Sequence, residues 1–163
     1  MPIVRPIEEN DAEAFRDALD SVARERLYLA TLEAPPLDKV RAFIANNLRN
    51  GHPQVVGVDQ GRLVGWCDAL PGEPGSGTAH VGRMGMGVIA GHRGRGLGRA
   101  LVGAVIDAAR RAGLEKIELS VYASNVPALS LYRSVGFVEE GRKVRGRKVD
   151  GCYDDVILMG LLL

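Results

Sequence analysis

The run Arg93-Gly94-Arg95-Gly96-Leu97-Gly98-Arg99-Ala100 alternates glycine with arginine and leucine just where the chain changes character. Before it lies an apolar stretch broken by glycines, Met84 to Ile89; after it a long amphipathic pattern begins. A strand, a glycine turn and a helix start are expected in that order. Such a turn exposes backbone N–H groups without intrahelical partners, at the positive end of the helix dipole. Those are the parts of a phosphate site. Gly94, Gly96 and Gly98 permit unusual φ/ψ, and a Cβ at Gly96 or Gly98 would crowd an approaching phosphate oxygen. Arg93, Arg95 and Arg99 add positive charge, although each side chain could equally be solvated at a helix start. The N–H nest and the dipole do the neutralising, so no metal is required.

Several ligands compete for such a loop. A Walker-type loop ends in Gly-Lys-Ser/Thr, with lysine on phosphate and a hydroxyl on magnesium. Here Gly98 is followed by Arg99-Ala100. A dinucleotide fingerprint belongs near the first strand of a doubly wound sheet, with an acid about twenty residues on. This loop sits mid-chain. A glycine-rich helix entry with no ligand is the bland alternative, and it is costly, because glycine loses the most backbone entropy on folding.

The elements that must hold this loop can be read from periodicity. Ile3 to Ile7 reads as an edge strand, and Asn10 with Glu13 as a capping box for a helix to about Ala23. Arg26 to Glu33 is ambiguous. A second helix fits Leu37 to Leu48, stopped by Asn50-Gly51. Gln54 to Val58 and Leu63 to Ala69 read as strands joined by a tight turn at Asp59-Gln60-Gly61. The segment Pro71 to Gly77 is a loop by composition, and His80 to Ile89 the third strand of a meander.

After the glycine turn, Leu97, Leu101, Val105, Ala108 and Ala112 form one stripe, with Gly113 at its end. Ile117, Leu119 and Val121 alternate as a strand. Asn125-Val126-Pro127 starts a short helix, asparagine capping and proline tolerated in the first turn; Gly136 ends it. Phe137 to Val144 and Cys152 to Leu161 read as a final antiparallel pair around Gly146 to Gly151. The order gives a mixed α/β sheet, mostly antiparallel, with one parallel pair made by a right-handed crossover.

The chain has 163 residues, which fits one domain spanning 1–163 and a core that needs no staples. Net charge is +1, giving no general case for nucleic acid. No apolar run approaches membrane-spanning length, and the first residues lack the apolar core of a signal peptide, so a cytoplasmic location is expected. The two cysteines, Cys67 and Cys152, lie far apart without ligand spacing and read as buried reduced thiols.

A second motif narrows the ligand. Asn125-Val126-Pro127-Ala128-Leu129-Ser130-Leu131-Tyr132-Arg133-Ser134-Val135-Gly136-Phe137 resembles the Asn-x-x-Ala-x-x-Leu-Tyr-x-x-x-Gly-Phe segment of the GNAT superfamily of acyl-CoA-dependent N-acyltransferases. Arg93-x-x-Gly96-x-Gly98 resembles the same superfamily's pyrophosphate loop. Each motif is moderately specific alone; in this order, one helix and one strand apart, they are highly specific together. The resemblance implies a GNAT-like fold in which the strand ending near Ile89 and the strand at Ile117 to Val121 splay into a V. It implies that the pantetheine arm of acetyl-CoA lies in that V, beside Met86, Gly87, Val88 and Ile89. The pyrophosphate would rest on Arg93, Gly94, Arg95, Gly96, Leu97, Gly98, Arg99 and Ala100, and a backbone N–H near Val88 would hold the thioester carbonyl. Asn125, Ala128 and Tyr132 would complete the cofactor side. No metal is implied.

Tyr132 is then the sharpest catalytic candidate, donating a hydrogen bond or a proton to the departing sulfur; its bland alternative is a core aromatic. The acceptor side is less legible. A lysine-like amine must lose a proton at a cost of about 4–5 kcal/mol at pH 7. Many relatives place a glutamate on the strand before the loop, but between Ala79 and Arg93 the titratable groups are His80, Arg83 and His92. The base then comes from elsewhere or is water connected to bulk: Glu33 is the first candidate side chain, a solvated loop acid being its blander and favoured reading, with Asp154 and Asp155 next, then His80; His92 would support phosphate. Tyr28, Glu33, Tyr153 and Asp155 are the expected acceptor wall. The basic run Arg142 to Lys148 reads as a solvated hairpin tip, the other reading being charge for an acidic acceptor or the CoA 3′-phosphate.

The expected function is acetyl transfer from acetyl-CoA to a primary amine of a small molecule, amino acid or peptide, by direct attack in a ternary complex. Acetylation of a protein N-terminus or lysine, and a CoA-binding regulatory module without turnover, are the rival readings. The resemblance allows a homodimer.

Overall fold

A computed structural model describes residues 1–163. Seven strands form one sheet in the order β1-β2-β3-β4-β5-β7-β6. They are β1 (Ile3–Pro6), β2 (Gln54–Asp59), β3 (Arg62–Pro71), β4 (Val81–Val88), β5 (Lys116–Tyr122), β6 (Val138–Val149) and β7 (Cys152–Leu162). Four helices accompany them: α1 (Ala12–Ala23), α2 (Leu37–Asn50), α3 (Leu97–Arg111) and α4 (Val126–Val135). β4 and β5 are the parallel pair; every other neighbouring pair is antiparallel. The mixed α/β sheet expected from the element order is therefore present.

Alternation along β3 divides its side chains between the two faces of the sheet. Trp66 meets Phe15 of α1 edge to face, at 5.8 Å between ring centroids, and Phe15 stacks in turn on Phe43 of α2. On the opposite face, a Cβ at Gly65 would meet Leu97 and Leu101 of α3. Val64, Leu101, Val102, Val105 and Ile117 are fully buried between these layers. The apolar stripe of α3 thus binds the helix that follows the glycine turn to the centre of the sheet, and the turn is held where β4 ends.

Some local expectations shift. The entry to α1 is set by Asp11 rather than by Asn10 and Glu13. The Asp11 carboxylate accepts from the Glu8 N–H at 2.8 Å and from both terminal nitrogens of Arg5 at 2.8 Å. Arg5 on β1 draws the carboxylate to the strand side, and a 3-10 turn, Glu9–Asp11, precedes the helix. β6 runs through Gly146 to Val149, because a bulge between Lys143 and Arg147, with Arg145 at φ 51°, absorbs the irregularity. The reversal falls at Asp150-Gly151, both at positive φ. Cys67 is buried as expected, whereas Cys152, opening β7 at the end of the sheet, is exposed. No helix is long and apolar enough to cross a membrane.

Candidate active site

β4 and β5 pair only over Val81–Arg83 and Lys116–Glu118. Beyond that rung β4 stays with β3 as far as Val88 against Gly65, while β5 stays with β7 as far as Tyr122 against Val156. Each strand follows its outer neighbour, and the twist of the sheet parts them into a V. The Ile89 N–H donates to the Val64 carbonyl on β3 at 3.0 Å. By antiparallel alternation, the amides of Val88 and Met86 turn to the other edge of β4, into the V.

The glycine turn closes the wide end of the V. Gly94 (φ 71°) and Gly96 (φ 86°) hold left-handed conformations, and Gly96 caps α3. No acidic residue stands in the first turn of α3 and no side chain caps it, so its first N–H groups face outward. Gly98 has a different reason. A Cβ there would come within 3.2 Å of Leu131 Cδ2 on α4, so the glycine lets α3 and α4 approach closely without displacing that side chain.

The arginines divide their work differently from the sequence expectation. Arg93 does not offer its guanidinium to the loop. Nε donates to the Val88 carbonyl at 2.8 Å, the terminal nitrogens clasp Glu25 at 2.8 and 2.6 Å, and the group lies over the Tyr28 ring at 4.5 Å. Arg99 reaches the Ser134 hydroxyl of α4 at 2.6 Å. Arg95 is exposed and forms no ion pair. His92 turns from the loop to Asp59, with Nε2 at 3.2 Å, and leaves its buried Nδ1 without a partner.

On the α4 side of the V, the Asn125 side chain accepts from the Ala128 N–H at 3.3 Å, the expected cap. Tyr132 is buried, packed edge to face against Phe137, with the Cys67 thiol as a neighbour. Burial pushes its phenol well above the ordinary value, and no hydrogen bond within the protein offsets this. The hydroxyl is therefore a fixed neutral donor at any physiological pH.

The expected acceptor wall is dispersed. Glu33 is exposed and sits 3.6 Å from Arg24. Tyr28 is covered by Arg93, and exposed Tyr153 lies under Arg145 and Lys148. Asp155 accepts from Arg142 Nε at 2.7 Å and the Arg145 N–H at 2.8 Å, which hold its carboxyl below the usual range and make it a poor base. Asp154 is bonded to the Ser124 hydroxyl. His80 is exposed at the narrow end of β4. The basic run is engaged rather than merely solvated. Arg147 stacks on Tyr122 at 4.4 Å and donates to the Arg26 carbonyl, while Asp150 clasps Arg26 at 2.9 and 2.8 Å.

The carboxylate that sequence reasoning missed is Asp68. It is 8% exposed on β3, in register with Gly85 of β4, and burial raises its pKa to about 7 against a weaker pull from the Gly85 backbone amide. It lines a cleft of about 510 Å³ with Glu73, Thr78, Arg83, Gly85 and Glu118. The signal was present as an acid inside the otherwise apolar run Leu63 to Ala69. Gly87, expected beside the cofactor, is covered on this face by Trp66, whose indole a Cβ would strike.

Comparison with known proteins agrees with this layout. The model of the acetyltransferase (GNAT) family matches residues 15–137. The L-amino acid N-acetyltransferase AaaT of Escherichia coli (strain K12) is 29% identical over 160 residues, spanning 96% of this chain and 95% of that one. A GNAT-family acetyltransferase structure from Streptococcus pneumoniae superposes with TM-score 0.93 at 23% identity, covering 100% of both chains. The structure of yncA from Salmonella typhimurium, a putative acetyltransferase with its cofactor acetyl-CoA, gives 0.92 at 21% identity, over 99% of this chain and 94% of that one. The V, the glycine turn at its wide end and the match over most of the chain lead to one conclusion: the protein belongs to the GNAT family of acetyltransferases.

Proposed function

We propose that this protein transfers an acetyl group from acetyl-CoA to a primary amine by direct attack in a ternary complex. The observation that carries this reading is the V between β4 and β5 ending on the outward-facing amides between Gly94 and Arg99. Anionic phosphates suit those amides, and the exposed Arg95 adds charge beside them. Gly94, Gly96, Leu97, Gly98 and Arg99 would hold the pyrophosphate through the backbone; the Ala100 N–H, expected there too, is spent on the Gly96 carbonyl inside α3 at 3.1 Å. Arg93 serves as a brace for the strand end. Met86, Val88, Asn125 and Ala128 line the path for the pantetheine arm.

Bound acetyl-CoA supplies the acyl group as an activated thioester. The chain's own residues then have three tasks. The Met86 and Val88 amides point into the V, where an oxyanion would need donors; donors of that kind are worth about 3–4 kcal/mol each. Tyr132 offers a neutral hydroxyl to the leaving sulfur. Full proton transfer from so weak an acid is unfavourable, so hydrogen-bond stabilisation of developing thiolate is the larger effect. No cysteine stands at the turn to carry a covalent acyl group.

The likeness to AaaT supports a small amino-acid-like amine as the acceptor. The test is a panel of amines, amino acids and peptides with acetyl-CoA, followed by free thiol release. Thiol release dependent on one amine class is the expected result. Acetyl-CoA that raises the melting temperature while no amine is acetylated would favour a binding module without turnover.

A further inference from the structure

Two charged groups, Asp68 and Arg83, line one cleft beside the last rung between β4 and β5, and neither is taken by an ion pair. Asp68 is nearly buried, and its register partner is a glycine. A Cβ at position 85 would stand in contact with the Asp68 carboxylate oxygen, at 3.6 Å, so the bare glycine leaves space beside that carboxylate where the cleft runs. Gly85 comes two residues after Arg83, which belongs to the last rung between β4 and β5. The cleft therefore reaches the point where the two strands part.

Arg83 is the second group. It is exposed on the same face of β4 as Gly85, two residues away along the strand, and forms no ion pair. Its register partner on β5, Glu118, is taken by Lys116 at 3.1 Å, and Lys116 also holds Glu140 at 2.9 Å. Diagonal neighbours on adjacent strands stand about 7–8 Å apart at the backbone. An ammonium and a carboxylate on one substrate carbon fit between a carboxylate and a guanidinium at that spacing.

We propose that Asp68 is the catalytic residue that takes the proton of the incoming amine, and that Arg83 holds the same substrate's carboxylate. The acceptor is then an α-amino acid. This rests on the acetyltransferase reading above and deepens it.

The step balances. One proton of the substrate ammonium passes to the Asp68 carboxylate and on to solvent through the cleft. The freed nitrogen pair forms the N–C bond at the thioester carbon, and the C–S bond breaks. A second nitrogen proton ends on the departing sulfur, beside the Tyr132 hydroxyl. The products are the N-acetyl amino acid, CoA thiol and one released proton.

Burial suits Asp68 to this work. With its pKa near 7 it is about a thousandfold better as a proton acceptor than an exposed aspartate. Glu73 from the β3–β4 loop, Arg83 from β4 and Glu118 from β5 are the charged groups that line the cleft with it. Asp68 thus stands in for the strand glutamate that this chain lacks, from the neighbouring strand.

The test measures thiol release against an α-amino acid, its amide and its decarboxylated amine, for wild type, Asp68→Asn and Arg83→Gln, from pH 5.5 to 9. Acetyl-CoA affinity is measured by calorimetry in parallel. Asp68→Asn is expected to lower kcat at least a hundredfold and to abolish the acid limb near pH 7, with acetyl-CoA affinity within twofold of wild type. Arg83→Gln is expected to shrink the preference for the amino acid over its amide at least tenfold. If Asp68→Asn does not fold, Arg83→Gln and the wild-type profile carry the test, since Arg83 is exposed. A wild type that acetylates amines, with Asp68→Asn equally fast and the amide as good as the acid, overturns this proposal alone. A wild type that binds acetyl-CoA and acetylates nothing overturns the enzyme reading and this proposal with it.

Discussion

Arg93 and Glu25 stand 68 residues apart in sequence and meet as a two-pronged ion pair at 2.8 and 2.6 Å. Glu25 follows α1, and Arg93 opens the glycine turn. The pair therefore ties the end of α1 to the end of β4. Arg93 adds a third bond, to the Val88 carbonyl at 2.8 Å, which fixes the end of β4 just where its amides face the V.

Arg93→Ala is expected to cost stability rather than to abolish acetyl-CoA binding. The pair is partly exposed, at 33% and 26%, so its contribution is about 1–2 kcal/mol, and Arg93 also stacks on Tyr28. Urea unfolding should report that loss, and Glu25→Gln should show a smaller one. Acetyl-CoA affinity should fall less than tenfold. A fully folded Arg93→Ala protein without acetyl-CoA affinity would place the side chain on phosphate after all.

Gly96→Ala should do the opposite. With φ at 86°, an alanine there is strained by about 1–2 kcal/mol. Relief of the strain turns the amides of the helix start away from the V. A tenfold or greater loss of acetyl-CoA affinity by calorimetry, with a modest fall in Tm, is the expected outcome; an unchanged affinity would show that these amides do not carry the phosphates.

Tyr132→Phe should keep acetyl-CoA affinity and reduce kcat about tenfold to a hundredfold, the worth of one hydrogen bond to a developing charge. Because burial holds the phenol far above its ordinary value, the wild-type rate profile should show no tyrosine limb up to pH 9. An undiminished kcat in the variant would reduce Tyr132 to a core aromatic packed on Phe137.

The stability of the fold should carry the mark of Asp68. Its carboxyl binds a proton more tightly when folded, near pH 7, than when unfolded, near 3.8. That contribution is fully present below pH 3.8, declines as pH rises, and is lost once pH passes 7. By linkage the whole span is worth on the order of 4 kcal/mol. Asp68→Asn should remove it. Urea unfolding at pH 5 and pH 8.5 should show wild type losing stability relative to the variant as pH rises. A constant difference between the two proteins would mean that Asp68 titrates in the ordinary range.

Sequence alone determined what is local in this protein. Alternate glycines before an amphipathic run specify a turn with left-handed residues at a helix start, because only glycine holds φ near 71° and 86° without strain. Asn125 ahead of Val126-Pro127 specifies a cap for the same reason of short range, and the order of elements, a meander followed by a strand–helix–strand unit, specifies a mixed sheet. Tertiary structure decided what depends on register and on distant partners. Asp68 was one acid in an apolar strand until the pairing of β3 with β4 set it beside Gly85. Arg93 read as phosphate charge until Glu25 arrived from the end of α1 to take it. Backbone conformation follows from a few neighbouring residues, but the burial and partners of a charged side chain depend on which strands and helices the whole fold brings against it.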